Sequence, residues 1–126
     1  MIALGILIAT IASFIASAVL YAIPPASRLL ARTSTPRPGI PFPVQMLSVV
    51  LRSLLASFLI AGLMIAADWH GPAAGALLGL ALTVMPLILL FGGVVHENTA
   101  VPTAGLHLLD WIIKLTLIGT LVGLFV

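Results

Sequence analysis

No cysteine occurs in the 126 residues. That excludes disulfide frameworks, thiolate metal sites, iron–sulfur clusters, cysteine nucleophiles and palmitoylation together. Charge is almost as scarce: acidic and basic side chains make up 6% of the chain, against about 25% in a soluble domain. What fills the space instead is apolar, 62% of all residues, with a mean hydropathy of +1.33. An aqueous core could bury only part of that surface and the rest would aggregate, so the composition points to an integral membrane protein. Five basic residues against three acidic ones leave a formal charge of +2. Spread over so apolar a chain, they read as topology signals and not as a nucleic-acid footprint.

A helix needs about 20 apolar residues to cross a hydrocarbon layer roughly 30 Å thick, and four stretches qualify: residues 2–23, 44–67, 73–95 and 106–126. The first and third carry no charge, the second only Arg52, the fourth only Asp110 and Lys114. None alternates polar with apolar positions as a barrel strand would. The expectation is an all-α, four-helix transmembrane bundle forming one domain over residues 1–126.

The connections differ in chemistry. Residues 24–43 hold Pro24, Pro25, Pro36, Pro38, Pro41 and Pro43 together with Arg28, Arg32 and Arg37. Within them, residues 26–32 suit a short interfacial helix with Arg28 and Arg32 on one face, and residues 33–43 an extended path. Residues 68–72 form a tight hairpin in which Gly71-Pro72 breaks one helix and starts the next. Residues 96–105 form a polar link. With three arginines in the first connection and no lysine or arginine in the second, the positive-inside rule puts residues 24–43 and 96–105 in the cytoplasm and both termini outside. The first span follows no basic segment, so it reads as an uncleaved anchor in a plasma membrane, for a bacterium the inner membrane.

These features resemble the family known as domain of unknown function 1761, small bacterial membrane proteins expected to have four helices. The resemblance rests on Ala16-Ser17-Ala18-Val19-Leu20-Tyr21 closing helix 1, on Gly75-Ala76-Leu77-Leu78-Gly79-Leu80 in helix 3, and on the polar link followed by residues 106–124. In that family helix 1 usually ends in a Trp-Tyr pair, where this chain has Leu20-Tyr21. The resemblance implies an architecture and supplies no reaction.

Because lipid tails are as apolar as leucine, helices associate in membranes where small residues let backbones approach. Helix 1 carries Gly5, Ala9, Ser13 and Ser17 four residues apart; helix 2 carries Ser53, Ser57 and Ala61; helix 3 Gly75, Gly79 and Thr83; helix 4 Gly119 and Gly123. Such stripes either pack the four helices on one another or leave one over for self-association or a partner. Pro86 deletes a backbone bond near the middle of helix 3 and reads as a kink. Tyr21, Phe42, Trp69 and Trp111 fall near the interfaces, as aromatic-belt residues do.

The residues out of place are Arg52, Asp110 and Lys114 inside helices, with His96, Glu97 and His107 at adjoining helix ends. His107, Asp110, Trp111 and Lys114 share one face of helix 4, and Asp110 precedes Lys114 by the four residues that favour an intrahelical pair. Two readings compete: long cations snorkelling to nearby water beside one local ion pair, or a convergent site in which Arg52 faces Asp110 or Glu97 across the bundle. The histidine and carboxylate spacings match no zinc motif and do not place two histidines at one depth for haem. No serine has a nucleophile setting. Neither a metal nor a cofactor is expected.

The leading functional expectation is a non-enzymatic membrane protein, either a self-associating bundle or an accessory subunit of a larger membrane complex. The alternative is a transporter or channel in which Arg52, Asp110 and Glu97 line a path for a small anionic or protonated solute. A membrane enzyme acting on a lipid or quinone through His96, Glu97 and His107 is third. The arginine bias gives the first prediction. Single cysteines at Thr35 and Thr99 are shielded from an impermeant thiol reagent in intact cells while one at His70 is labelled; labelling at position 35 and not at 70 would invert the orientation.

Overall fold

A computed structural model describes all 126 residues. It contains helices and no strand: α1 Ile2–Ala22, α2 Pro24–Thr33, α3 Phe42–Ala66, α4 Gly71–Leu82, α5 Val84–His96 and α6 Val101–Gly123. Helices α4 and α5 follow each other almost without interruption, so four segments are long and apolar enough to cross a membrane. The protein is a multi-pass membrane bundle. Its outer faces carry exposed Leu7, Ile11, Ile15 and Val19 on α1, and Leu47, Leu51 and Leu55 on α3, apolar rows spaced by four residues that suit a lipid environment.

Most connections behave as their residues dictate. Pro24 and Pro25 occupy the first turn of α2, where a missing N–H removes no helical bond. The α2 helix packs against α1 and the start of α6, and Thr33 Oγ1 meets Thr103 Oγ1 at 2.6 Å. After α3 the chain turns through Asp68 at φ 55°, and the Trp69 N–H bonds back to the Met64 carbonyl at 2.9 Å, closing the helix in the Schellman manner.

One boundary moves. The fourth span begins at Val101, not at residue 106, because Pro102 sits in its first turn and the polar residues beyond it are helical. The link shrinks to Glu97–Ala100, with Asn98 supplying the left-handed residue at φ 56°. The third span divides at Thr83, three residues before Pro86. Pro86 has no N–H for the Leu82 carbonyl. The Thr83 N–H turns instead to Leu80, and the ladder resumes with the Leu87 N–H on Thr83.

The tightest crossing joins α4 to α6. A Cβ placed on Gly75 would overlap the carbonyl of Gly119, one on Gly79 the carbonyl of Leu115, and one on Gly123 the carbonyl of Gly71. These pairs step four residues at a time along both antiparallel helices, so the two glycine stripes face each other backbone to backbone. Gly71 meets a second demand as well, its φ of 89° being one that a side chain disfavours. The other stripes are buried too: Gly5 lies against the Phe125 ring, and Ala9, Ser13, Ser17, Ser53, Ser57 and Ala61 are buried between α1, α3 and α6. Thr10 and Ser57 return their hydroxyls to carbonyls one turn back, Ile6 and Ser53, at 2.7 and 2.9 Å, so these two donors are satisfied within the seam, while the Ser53 hydroxyl is buried with no partner.

The apolar core, Ile6, Ala9, Ile60, Ala61, Met64, Leu115, Ile118 and Val122, fills one half of the bundle: the start of α1, the end of α3 and the end of α6. The other half is built differently. Gly79→Leu and Gly119→Leu each force α4 from α6 and destabilise the purified protein by at least the ~1–3 kcal/mol typical of overpacking, whereas Gly92→Leu, with nothing within 4 Å, is neutral. Thermal unfolding in detergent checks this, and equal stability of all three variants would mean that α4 and α6 do not touch through their glycines.

Candidate functional site

Toward the end of the bundle where α1 finishes and α3 and α6 begin, the helices line a half-open cavity of about 690 Å³. Each contributes by helical periodicity. From α1 come Phe14, Ser17, Ala18 and Tyr21; from α3 Phe42, Met46, Val49 and Arg52; from α6 His107, Asp110, Trp111 and Lys114. Leu30 of α2 lines it at the membrane end, and Leu90 of α5 lines it from the side. Ten of the 15 lining residues are hydrophobic, so the polar groups form a small cluster in an apolar shell, the usual composition of a pocket for a small molecule.

Asp110 is the centre of that cluster. Its side chain is 6% exposed, and a bare carboxylate at that burial in lipid would be strongly unfavourable. Ser17 Oγ, from α1, donates to its Oδ1 at 2.5 Å, while Lys114 Nζ, one turn along α6, stands 3.6 Å from Oδ2. The carboxylate is therefore compensated by a hydroxyl and an ammonium from two helices. The lysine is less well served. At 3.6 Å its contact is an ion pair longer than a hydrogen bond, and its other near neighbour is the Trp111 ring, 5.2 Å from Nζ to the centroid.

Arg52 completes the cluster from α3, with its guanidinium carbon 5.3 Å from the same indole centroid. It makes no ion pair with Asp110 or Glu97. Two cations thus flank one tryptophan, and the cavity holds a single carboxylate. At the α1 edge, Tyr21 Oη and His107 Nδ1 share a hydrogen bond of 2.7 Å, the rings 5.8 Å apart and tilted by 54°.

Of the six polar residues picked out by sequence, the structure brings four together: Arg52, His107, Asp110 and Lys114 line one cavity. His96 and Glu97 are exposed at the end of α5 and lie outside it. The intrahelical Asp110–Lys114 pair forms, but Lys114 does not snorkel. Its side chain is 1% exposed, because α6 begins five residues earlier than expected and its charged face turns into the bundle. Two contributors sit at the cluster in places that sequence reasoning did not give them: Ser17 stood only as a packing residue and Tyr21 only as an interfacial aromatic, whereas Trp111 had already been placed on the charged face of the fourth helix. The signal was present in α1, where Ser13, Ser17 and Tyr21 recur four apart and put a polar line opposite the charged face of α6.

A four-span membrane bundle with a polar, partly charged cavity at one end is the class these observations define. The chain belongs to the family described as protein of unknown function DUF1761, whose profile matches residues 4–123. No curated protein and no solved structure matches the chain significantly.

The geometry predicts where electrostatic coupling lies. Asp110→Leu and Lys114→Leu each leave a buried partner charge and cost on the order of 3–5 kcal/mol, and the double variant recovers much of it. Arg52→Leu combined with Asp110→Leu shows a smaller interaction energy, since the two make no ion pair. Double-mutant cycles by thermal or denaturant unfolding measure both terms; the larger coupling falling on Arg52 and Asp110 would mean that the arginine, not the lysine, is the carboxylate's partner.

Proposed function

We propose that this membrane protein binds a small amphipathic anion in the cavity between α1, α3 and α6, as the solute site of a transporter or channel. The observation that carries the reading is the pair of cations around Trp111. Arg52 and Lys114 both approach one indole, only Lys114 is paired with a carboxylate, and the surrounding walls are apolar. A guest bearing one negative charge on an apolar body would complete this arrangement. Its charge would neutralise Arg52 in the field of the buried Lys114 ammonium, and its body would lie against Phe14, Met46 and Val49. Charge-assisted hydrogen bonds of this kind are about twice as strong as neutral ones, and the low dielectric of the bilayer strengthens them further.

The choice between this reading and a purely structural bundle or accessory subunit turns on the small-residue stripes. Apart from Thr83, the residues of these stripes are buried within the chain, which leaves less of them for self-association. Glu97 has no part in the site. Tyr21 and His107 form a second polar contact beside the anion position and suit the recognition of a hydroxyl or a further acceptor on the guest. The arginine bias of residues 24–43 favours placing this end of the bundle at the cytoplasm, with α2 lying across it.

Trp111 supplies the reporter, since Trp69 is the only other tryptophan and sits exposed in the α3–α4 hairpin. In a Trp69→Phe background, octanoate should shift Trp111 emission and raise the melting temperature, and octylamine should do neither. Arg52→Gln should weaken octanoate binding at least about tenfold, the lower end of what a hydrogen-bonded charge contributes, while Arg52→Lys retains part of it. Equal responses to the acid and the amine, or octanoate binding indifferent to Arg52→Gln, would overturn the reading.

A further inference from the structure

The cavity does not end at Arg52. A second, more apolar groove of about 450 Å³ continues from it along the outside of the bundle between α3 and the α4–α5 span, and Arg52, Leu90 and Trp111 line both. Its walls are Leu55, Ala56 and Leu59 of α3 on one side and Leu82, Met85 and Leu89 on the other, with Leu115 behind. It exists because the backbones of α5 and α3 stay more than 8 Å apart. No residue of α5 is buried, and Leu89 is 71% exposed. The groove therefore opens sideways into the surrounding lipid.

We infer that the anion is a bilayer lipid, entering between α3 and α5 with its anionic headgroup at Arg52 and Trp111 and an acyl chain along the groove toward Leu59. This deepens the proposed function and rests on it. The occupant follows from charge complementarity at a defined place. From Arg52 to Leu59 the groove follows α3 for roughly 10 Å, at 1.5 Å per residue, and it is apolar except at one end, where the only charge is the unpaired guanidinium. An acyl chain gains little by leaving the bilayer for an apolar groove, because lipid tails are as apolar as leucine. Selection must therefore come from the headgroup. A zwitterionic lipid would bring its own cation to a site that already holds Arg52 and Lys114, whereas an anionic phosphate or carboxylate would meet Arg52 without an added positive charge. Trp111, lining both cavities, marks the point where headgroup and chain join.

The test uses the full chain with Trp69→Phe in nanodiscs of phosphatidylcholine to which either phosphatidylglycerol or phosphatidylcholine with brominated acyl chains is added, the bromines near the headgroup end. Brominated phosphatidylglycerol should quench Trp111 with roughly tenfold preference over brominated phosphatidylcholine, the ratio expected of one charge-assisted contact. Arg52→Gln should abolish the preference and Arg52→Lys restore part of it. Leu55→Phe with Leu89→Phe, both on the exposed rims of the groove, should lower it without entering the core, which keeps the test available if Arg52→Gln does not fold. Equal quenching by the two lipids, with octanoate still bound in an Arg52-dependent way, would overturn the lipid assignment and leave the anion site standing. Equal quenching with no Arg52-dependent binding of either probe would overturn both.

Discussion

The backbone contact between α4 and α6 is the constraint from which the other features follow. Gly71, Gly75 and Gly79 face Gly123, Gly119 and Leu115, an antiparallel register in steps of four that lets two helices approach with no side chain between them. One step further the same register sets Thr83 opposite Trp111, and an indole cannot occupy space where backbones touch. The span breaks at Thr83, and Pro86 makes the break inexpensive by removing the N–H that a continuous helix would need. Past it, α5 leaves the bundle's centre. The glycines thus hold α6 in place by its second half, and their end point opens the space around its first half.

That space makes the charged residues tolerable. Removing a carboxylate from water is strongly unfavourable unless its charge and lone pairs are answered, and Asp110 has Ser17 from α1 and Lys114 from its own helix. Were α5 packed against α3 as tightly as α4 is against α6, the Arg52 side chain would have nowhere to lie. The bundle is accordingly divided along its length, with a dry half in which methyl groups and glycines meet and a half in which hydroxyl, carboxylate, ammonium, imidazole and guanidinium share one cavity.

Much of this was legible in the sequence, and the limits are specific. Span number and helical class follow from run length and the scarcity of charge, since little else can be built from such runs in lipid. The glycine stripes and the kink at Pro86 followed from spacing, as did the common face of His107, Asp110, Trp111 and Lys114. Pairing between helices did not. Spacing says that Gly75 and Gly119 lie on small-residue faces, but only the three-dimensional register says that they face each other. The same blindness let Arg52 be matched to Asp110 or Glu97 on charge alone, whereas its nearest feature is an indole. Glu97 was misplaced because residues 96–105 were read as one link, while helix α6 begins at Val101 and carries its charged face deeper, away from the exposed end of α5. Ser17 and Tyr21 were hidden by plausibility: a serine in a small-residue stripe and a tyrosine at a helix end have ordinary roles, and only a carboxylate or an imidazole brought alongside gives them another.

The contrast between Asp110 and Arg52 bears most directly on function. A purely structural ion cluster would be expected to close on itself, every charge answered by another, as Asp110 is. Arg52 forms no ion pair; it lies over the face of an aromatic ring, an attraction of about 0.5–2 kcal/mol, and the residue is exposed on the bundle's surface. It is also placed where the cavity and the lipid-facing groove meet, lining both. Under the proposed function, an anion at that junction would supply the countercharge that Arg52 lacks within the chain. The glycine-packed half, in turn, holds the helices that present this side chain.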